Sequence, residues 1–206
     1  MTTDRRGNNR AVRLHLTNRL RTAQHAADLL HGKEQALQHE RARLEGHAHR
    51  ARREWEARCR HGAVCLARAR VLGAGDEIRA LIERGPPPAD VNANWQSSMG
   101  STYPGAVDCT PGDPSAFTCT AAIEPTADAF RQALSAGATH AATTTALRRL
   151  DVELANTRRR RRAIGERLVP RLERVLHELD LQLEEQDREE AVRVKITNRT
   201  HGGSSR

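Results

Sequence analysis

Aromatic side chains are scarce in this chain of 206 residues: only Trp55, Trp95, Tyr103, Phe117 and Phe130. Large aromatics supply much of the buried area of ordinary cores. Their shortage excludes a wide globular core and favours a thin one of Leu, Ala and Val. No apolar run approaches the ~18–20 residues that a bilayer-spanning helix needs. The N-terminal stretch MTTDRRGNNRAVRLHL has no apolar signal core, so a cytosolic location is expected. There is no GxxxxGK[ST] phosphate loop. Cysteines stand at 59, 65, 109 and 119 without a CxxC pair, and no histidine spacing converges with them on a zinc site. Buried small thiols are expected instead. Cys109 and Cys119 could approach across a loop, but a cytosolic setting disfavours a bridge.

Charge is abundant. Charged residues make up 29% of the chain and the formal net charge is +8. With many Leu and Ala, this suits long solvated helices and implies acidic partners. The first seventy residues carry one heptad register: Leu16, Leu20, Ala23, Ala27, Leu30, Glu34, Leu37, Arg41, Leu44, Ala48, Ala51 and Trp55. Ten of these twelve positions are apolar, which predicts a coiled-coil helix. Asn9 after Gly7 is its expected N-cap, and Gly73 and Gly75 mark its end. At 1.5 Å per residue the helix is roughly 95–100 Å long.

A second long pattern runs from about Ala127 to Lys195. Phe130, Leu134, Ala138 and Ala141 open it. Leu147, Leu150, Leu154, Ile164, Leu168, Leu172, Val175, Leu179 and Leu183 continue it, with Thr157 and Arg161 in polar slots. Thr126 is its expected cap. Between the two patterns, residues 85–125 hold seven of the eight prolines. Val91, Ala93, Trp95 and Met99 alternate with polar residues, as do Phe117, Cys119, Ala121 and Ile123. Both read as strands of period two joined by the turn-rich PGAVDCTPGDP.

Two long helices joined by one insertion bury their seams by pairing antiparallel. The expected fold is therefore all-α: a long two-helix antiparallel coiled coil with a small β-hairpin-containing insertion at one end. Expected boundaries are 8–75 for the first helix, 76–125 for a short helix plus the Pro-rich loop and hairpin, 126–196 for the second helix with a kink near Pro170, and 197–206 for a disordered tail.

The run Arg158–Arg162 is the densest charge in the chain. Successive helical residues step about 100°, so these five arginines ring the helix and form no single face. No aromatics interleave with them to stack bases. A solvated mixed-charge surface or a contact with acidic protein is expected, and no nucleic acid. Pro170 is more specific. It removes a helical hydrogen bond, at a usual cost of ~3 kcal/mol or more. Ile164, Leu168 and Leu172 step by four twice at the same place, and Gly165 is a weak helix former beside them. A local bend or untwist is expected there.

Residues 156–195, NTRRRRRAIGERLVPRLERVLHELDLQLEEQDREEAVRVK, resemble the D subunit of V-type and archaeal-type rotary ATPases. The resemblance lies in the arginine-rich turn, then Pro170-Arg171-Leu172-Glu173, then Glu184-Glu185 and Arg188-Glu189-Glu190. Leu14, Leu20, Leu29, Leu30, Lys33 and Leu37 match the family's N-terminal run, and MGSTYP at 99–104 resembles its MGVxxP. His31 and Ala26-Ala27 depart from the family pattern, as does the loop 106–120.

The resemblance implies a central rotor shaft that couples ATP synthesis or hydrolysis to proton or Na⁺ transport. It implies nucleotide-binding A and B subunits around the shaft, a small F subunit on its side, and a socket subunit on the membrane proteolipid ring. It further implies a non-catalytic chain with no cofactor and no metal, peripheral to the inner face of the membrane and not inserted in it. Candidate contact positions are Arg10, Arg13, Leu29, Leu30, Lys33, Pro170, Arg171, Leu172, Glu173, Arg188, Arg193 and Lys195. The histidines, such as His15, His47 and His177, have no nucleophile or carboxylate partner at suitable spacing and are expected on the surface. The competing expectation is a basic coiled-coil protein, either nucleic-acid-associated or a scaffold.

Overall fold

The computed structural model describes residues 2–85, 88–112, 121 and 123–202. Helix α1 spans Thr2–Val71, α2 Gly75–Arg84, strand β1 Asp90–Ser98, β2 Ser101–Thr110 and α3 Glu124–Arg162. A π-helical turn, Ala163–Leu168, then leads into α4, Val169–Gly202. Helices predominate and the insertion is a two-stranded antiparallel hairpin, in agreement with the expected fold class. The chain divides into two compact units, residues 1–33 with 156–206, and residues 34–155.

In the unit 34–155, α1 and α3 pair antiparallel. Arg41 reaches Asp151 and Arg58 reaches Gln132, so numbers rise along one helix as they fall along the other. The seam read from the sequence is the buried face of α1. Leu37 and Leu44 are buried, and Ala48 and Ala51 half-buried. Opposite them lie buried Ala146, Leu150 and Leu154. Glu34 occupies a seam slot at 8% exposure, where its carboxylate accepts from Gln38 Nε2 at 3.2 Å.

The opening of α3 differs from expectation. Phe130 and Leu134 are exposed at 45% and 46%, and the buried residues are Ala129, Ala133 and Ala142. Small alanines take the close face. Phe130 and Leu134 instead line a groove of about 850 Å³ with Trp55, Trp95 and Pro104. Trp55 lies flat against His140, with ring centroids 5.3 Å apart. A Cβ on Gly137 would meet the indole nitrogen at 3.1 Å, so glycine leaves room for that ring.

Helix α1 begins at Thr2, so Asn9 lies inside it and is not its cap. Its end is a glycine cap. Gly73 has φ +88, Ala74 N–H donates to Ala69 O, and Gly73 N–H donates to Arg70 O. This pairing satisfies the last carbonyls, and Ala69 and Ala74 pack together with Ile78 and Ile123. Helix α3 starts two residues before its expected cap. The amides of Thr126 and Ala127 both donate to Ile123 O, and Pro125 sits in the first turn, where no N–H is needed. Thr126 is thus a first-turn residue, and its buried hydroxyl has no hydrogen-bond partner among the described residues.

The hairpin keeps its first strand near the expected place and moves its second. Met99 (φ 50) and Gly100 (φ 79) form a two-residue turn with both residues left-handed, the geometry that matches strand twist. Strand β2 therefore starts at Ser101 and uses residues read from sequence as a turn. Pro104 and Gly105 suggest a turn but sit at an irregularity in the ladder, opposite the step from Ala93 to Trp95. Of the stretch expected as second strand, Ala121 and Ile123 lie in a turn, and Phe117 to Thr120 fall outside the described residues.

The hairpin lies back along the helices. Tyr103 is 3% exposed and inserts among Leu37, Leu44, Ala146, Leu150 and Leu154. Its hydroxyl donates to Glu40, which also accepts two hydrogen bonds from Arg43. Arg149 donates to Thr102 O at 3.1 Å and lies over the Trp95 ring at 4.8 Å.

Candidate functional site: the paired helix ends and the widened turn

In the unit formed by 1–33 and 156–206, the N-terminal part of α1 pairs antiparallel with α4. Arg13 Nε donates to Asp180 at 2.6 Å, and Arg10 lies 3.9 Å from Asp187. The aspartates are one heptad apart on α4. Sequence reasoning misses both, although that spacing is a readable signal. The seam residues Leu16, Leu20, Ala27 and Leu30 are half-buried and Ala23 is buried.

The remaining candidate positions fall into three groups. Leu172 is buried at 6%, so it serves the seam. Leu30, Lys33 and Pro170 are half-buried. Leu29, Arg171, Glu173, Arg188, Arg193 and Lys195 are exposed. Arg188 lies near Glu184 and Glu185, and Arg193 near Glu189, all within one turn of α4. These exposed pairs hold side chains loosely and contribute little to stability. The structure brings Arg10 and Arg13 to α4, but gathers the twelve positions into no single patch.

The widened turn sits immediately before Pro170. Val169 N–H donates to Ile164 O, five residues back, where an α-helix would use four. A proline ring clashes with the carbonyl four residues earlier, here Glu166, and widening the turn relieves that clash. Downstream, Leu176 is half-buried and Val175 is 40% exposed, so the expected seam position 175 is replaced by 176. The cause is the turn itself, since Ile164 and Leu172 are eight residues apart where a heptad has seven. Facing it on α1, Ala23 and Ala26 with His15, Asn18, Arg19 and Thr22 complete a groove of about 480 Å³ with Ile164 and Leu168. Helical backbone continues through 197–202, where a tail was expected, because no Gly pair or Pro interrupts before Gly202-Gly203.

Charge is divided unevenly. Residues 1–33 and 156–206 carry 20 basic and 11 acidic side chains, net +9. Residues 34–155 carry 14 and 15, net −1. The whole basic excess of the chain therefore belongs to the unit that contains the arginine run and the paired helix ends.

Elsewhere the strongest electrostatic feature is the hairpin anchor. The Arg43 hydrogen bonds, with help from the Tyr103 hydroxyl, hold Glu40 down at about 2 against its own partial burial. Burial and the neighbouring Glu40 push the Tyr103 phenol up. On α1, Cys65 Sγ lies 3.7 Å from His61 Nε2, and Cys59, Cys65 and Cys109 are free thiols. Cys119 is outside the described residues. Among the described residues, no group of three or more His, Cys, Asp or Glu is placed to hold a metal ion. No helix among them is long and apolar enough to cross a membrane.

Compared with known proteins, residues 13–199 match the family model of the ATP synthase D subunit. No curated protein matches the chain.

Proposed function

Because the chain belongs to the ATP synthase D-subunit family, and so to the stalk of a membrane-associated rotary ATPase, we propose that it is the central rotor shaft of that complex. On this reading it couples ATP synthesis or hydrolysis in a hexamer of nucleotide-binding A and B subunits to proton or Na⁺ transport through the membrane ring. It does so without catalysing either step. A small F subunit and a socket subunit on the ring are its other partners, on the cytoplasmic side.

The observation that carries the reading is the basic unit. Its two helix ends are knitted by Arg10–Asp187 and Arg13–Asp180, and it holds the whole net positive charge. A shaft turning inside a ring of subunits needs contacts that differ between ring positions, so that its angle biases their states in turn. The widened turn makes the helix surface unequal on its sides. Rotation also needs contacts that release, and mobile exposed arginines and glutamates suit that.

The test is purification of the tagged chain from native membranes in mild detergent, with partner identification and an ATPase assay. Recovery of nucleotide-binding subunits and a proteolipid ring with ATPase activity is the expected result. Recovery of the chain alone, or of nucleic acid released by salt, overturns it.

A further inference from the structure

Strand β1 is exposed at every residue from Asp90 to Ser97. Strand β2 is the one that meets the helices: Tyr103 and Pro104 are buried, and Thr102 O accepts from Arg149 of α3. A two-residue turn is closed by a pair that exchanges both hydrogen bonds, here Ser98 and Ser101. Pairs then alternate, so Ser97 and Trp95 turn their N–H and C=O groups away from β2. Two observations agree. Pro104, which has no N–H, stands opposite Trp95, and Thr102, opposite Ser97, has its carbonyl free for Arg149. The extra residue of the ladder lies on β2, because Gly105 and Ala106 together oppose Asn94. The alternation of β1 therefore continues unbroken to Ala93 and Val91. Four N–H and four C=O groups, from Val91, Ala93, Trp95 and Ser97, form its outer edge, and none has a main-chain partner among the described residues.

Exposed strand edges are normally blunted by lysine, proline, a bulge or charge. Strand β2 has Pro104, the bulge and Asp108. Strand β1 has one charge, Asp90, at its end. It is also complementary to itself. Laid antiparallel on a second copy with Asn94 opposite Asn94, it sets Val91 against Ser97 and Ala93 against Trp95, and every outward group of both strands pairs. Side chains keep their faces. Val91, Ala93 and Trp95 extend the apolar wall of the groove over α3, and Asn92, Asn94 and Gln96 meet as amides on the other side. Asp90 falls opposite Ser98, so no like charges meet. The unit that holds β1 has net charge −1, so two copies approach through it without the repulsion of the +9 unit.

We propose that the outer edge of β1 joins two copies of the free chain by an antiparallel β1–β1 ladder centred on Asn94, making one four-stranded sheet from two hairpins. Three or more strands give a sheet the stability that a lone hairpin lacks. The inference goes beyond the shaft reading. A shaft inside a ring is a single copy, so the pair belongs to the chain before assembly and separates on entry.

Sedimentation equilibrium of the purified full chain reads the mass, and amide hydrogen exchange reads the edge. A rise with concentration from 22.9 kDa toward twice that mass is expected. Over the same range the amides of Val91, Ala93, Trp95 and Ser97 should slow about 10-fold or more, with those of Asn92 and Gln96 little changed. Ala93→Pro removes an outward N–H and puts a ring into the edge, as Pro104 does on β2. It should weaken the pairing about 10-fold or more. Val107→Pro, opposite it in the ladder, makes the same change on the outer edge of β2 and should leave the association intact. A single mass at every concentration would overturn the proposal. So would a dimer in which the four outward amides exchange freely, or one that survives Ala93→Pro with its hairpin amides still protected. If Ala93→Pro disrupts the hairpin itself, the wild-type exchange pattern decides.

Discussion

Tyr103, Glu40 and Arg43 illustrate how much a few side chains decide here. A two-stranded hairpin is marginal by itself. This one is held because its only tyrosine is buried among leucines of two helices and its hydroxyl meets a carboxylate. Glu40 is lowered to about 2 in the folded chain, from an ordinary value of 4.5. A lowered carboxyl stabilises above its unfolded value and loses that contribution as pH falls through its folded one. The Glu40 side chain is only 17% exposed, so its pairing with Arg43 is only partly screened by water. The Glu40 contribution to hairpin attachment should therefore begin to fall below pH 4.5 and be largely lost near pH 2, which denaturant unfolding across that range checks. Tyr103→Phe removes the phenol donor and should cost ~1–2 kcal/mol in denaturant unfolding. It should also move the acid transition upward, and an acid transition identical to wild type would show that the phenol does not help hold Glu40 ionised.

At the scale of elements, the widened turn separates two roles of Pro170. Pro170→Ala supplies a new N–H and lets the widened turn close to an α-helical one, so the free chain should gain ~1–3 kcal/mol in stability, read by denaturant unfolding. On the shaft reading, the same variant should impair coupling of ATPase activity to ion transport in the assembled complex. Normal coupling would reduce Pro170 to a tolerated interruption. The long helices were legible because Leu and Ala recur at three and four, and every seam position of α1 except Trp55 is buried or half-buried. The hairpin was half legible. Asn and Ser alternate with apolar residues along β1, but Pro104-Gly105 in β2 carries a turn's composition into a strand, and Met99 is an unusual residue for a left-handed turn. The opening of α3 misled because hydrophobicity marks burial but not its target. Phe130 and Leu134 face the groove beside the hairpin, while alanines of weaker signal face the helix. The surplus residue was visible as two steps of four, but whether it produces a bend or a widened turn depends on where the backbone hydrogen bonds go.

For the molecule as a whole, the partition of charge matters more than its sum. A chain of net +8 suggests a diffuse preference for acidic partners, but here one unit carries +9 and the other −1. Association through the basic unit should weaken with ionic strength, because exposed charges are screened within about 8–10 Å at physiological salt. Reversing Arg10, Arg13, Arg188, Arg193 and Lys195 together should uncouple ATPase activity from ion pumping in the reassembled complex, while the free chain remains helical. Retained coupling would remove these five from the contact surface. The pairs Arg10–Asp187 and Arg13–Asp180 also join helices, so reversal at 188, 193 and 195 alone distinguishes a lost contact from a loosened pair.

The scarcity of aromatics has an optical consequence. The chain has two indoles, and each sits on a different part of the architecture. Trp55 is stacked on His140 of α3, and its emission depends on whether α1 and α3 are together. Trp95 lies under the Arg149 guanidinium, which also holds Thr102 of the hairpin. Its emission changes when the hairpin lifts. Replacing Trp55 with phenylalanine leaves Trp95 as a reporter of the hairpin, while replacing Trp95 leaves Trp55, which shares its groove with Pro104 and responds to both the helix pair and the hairpin. A transition seen by Trp55 and not by Trp95 would place the opening between the helices, so the molecule carries its own probes with no label attached.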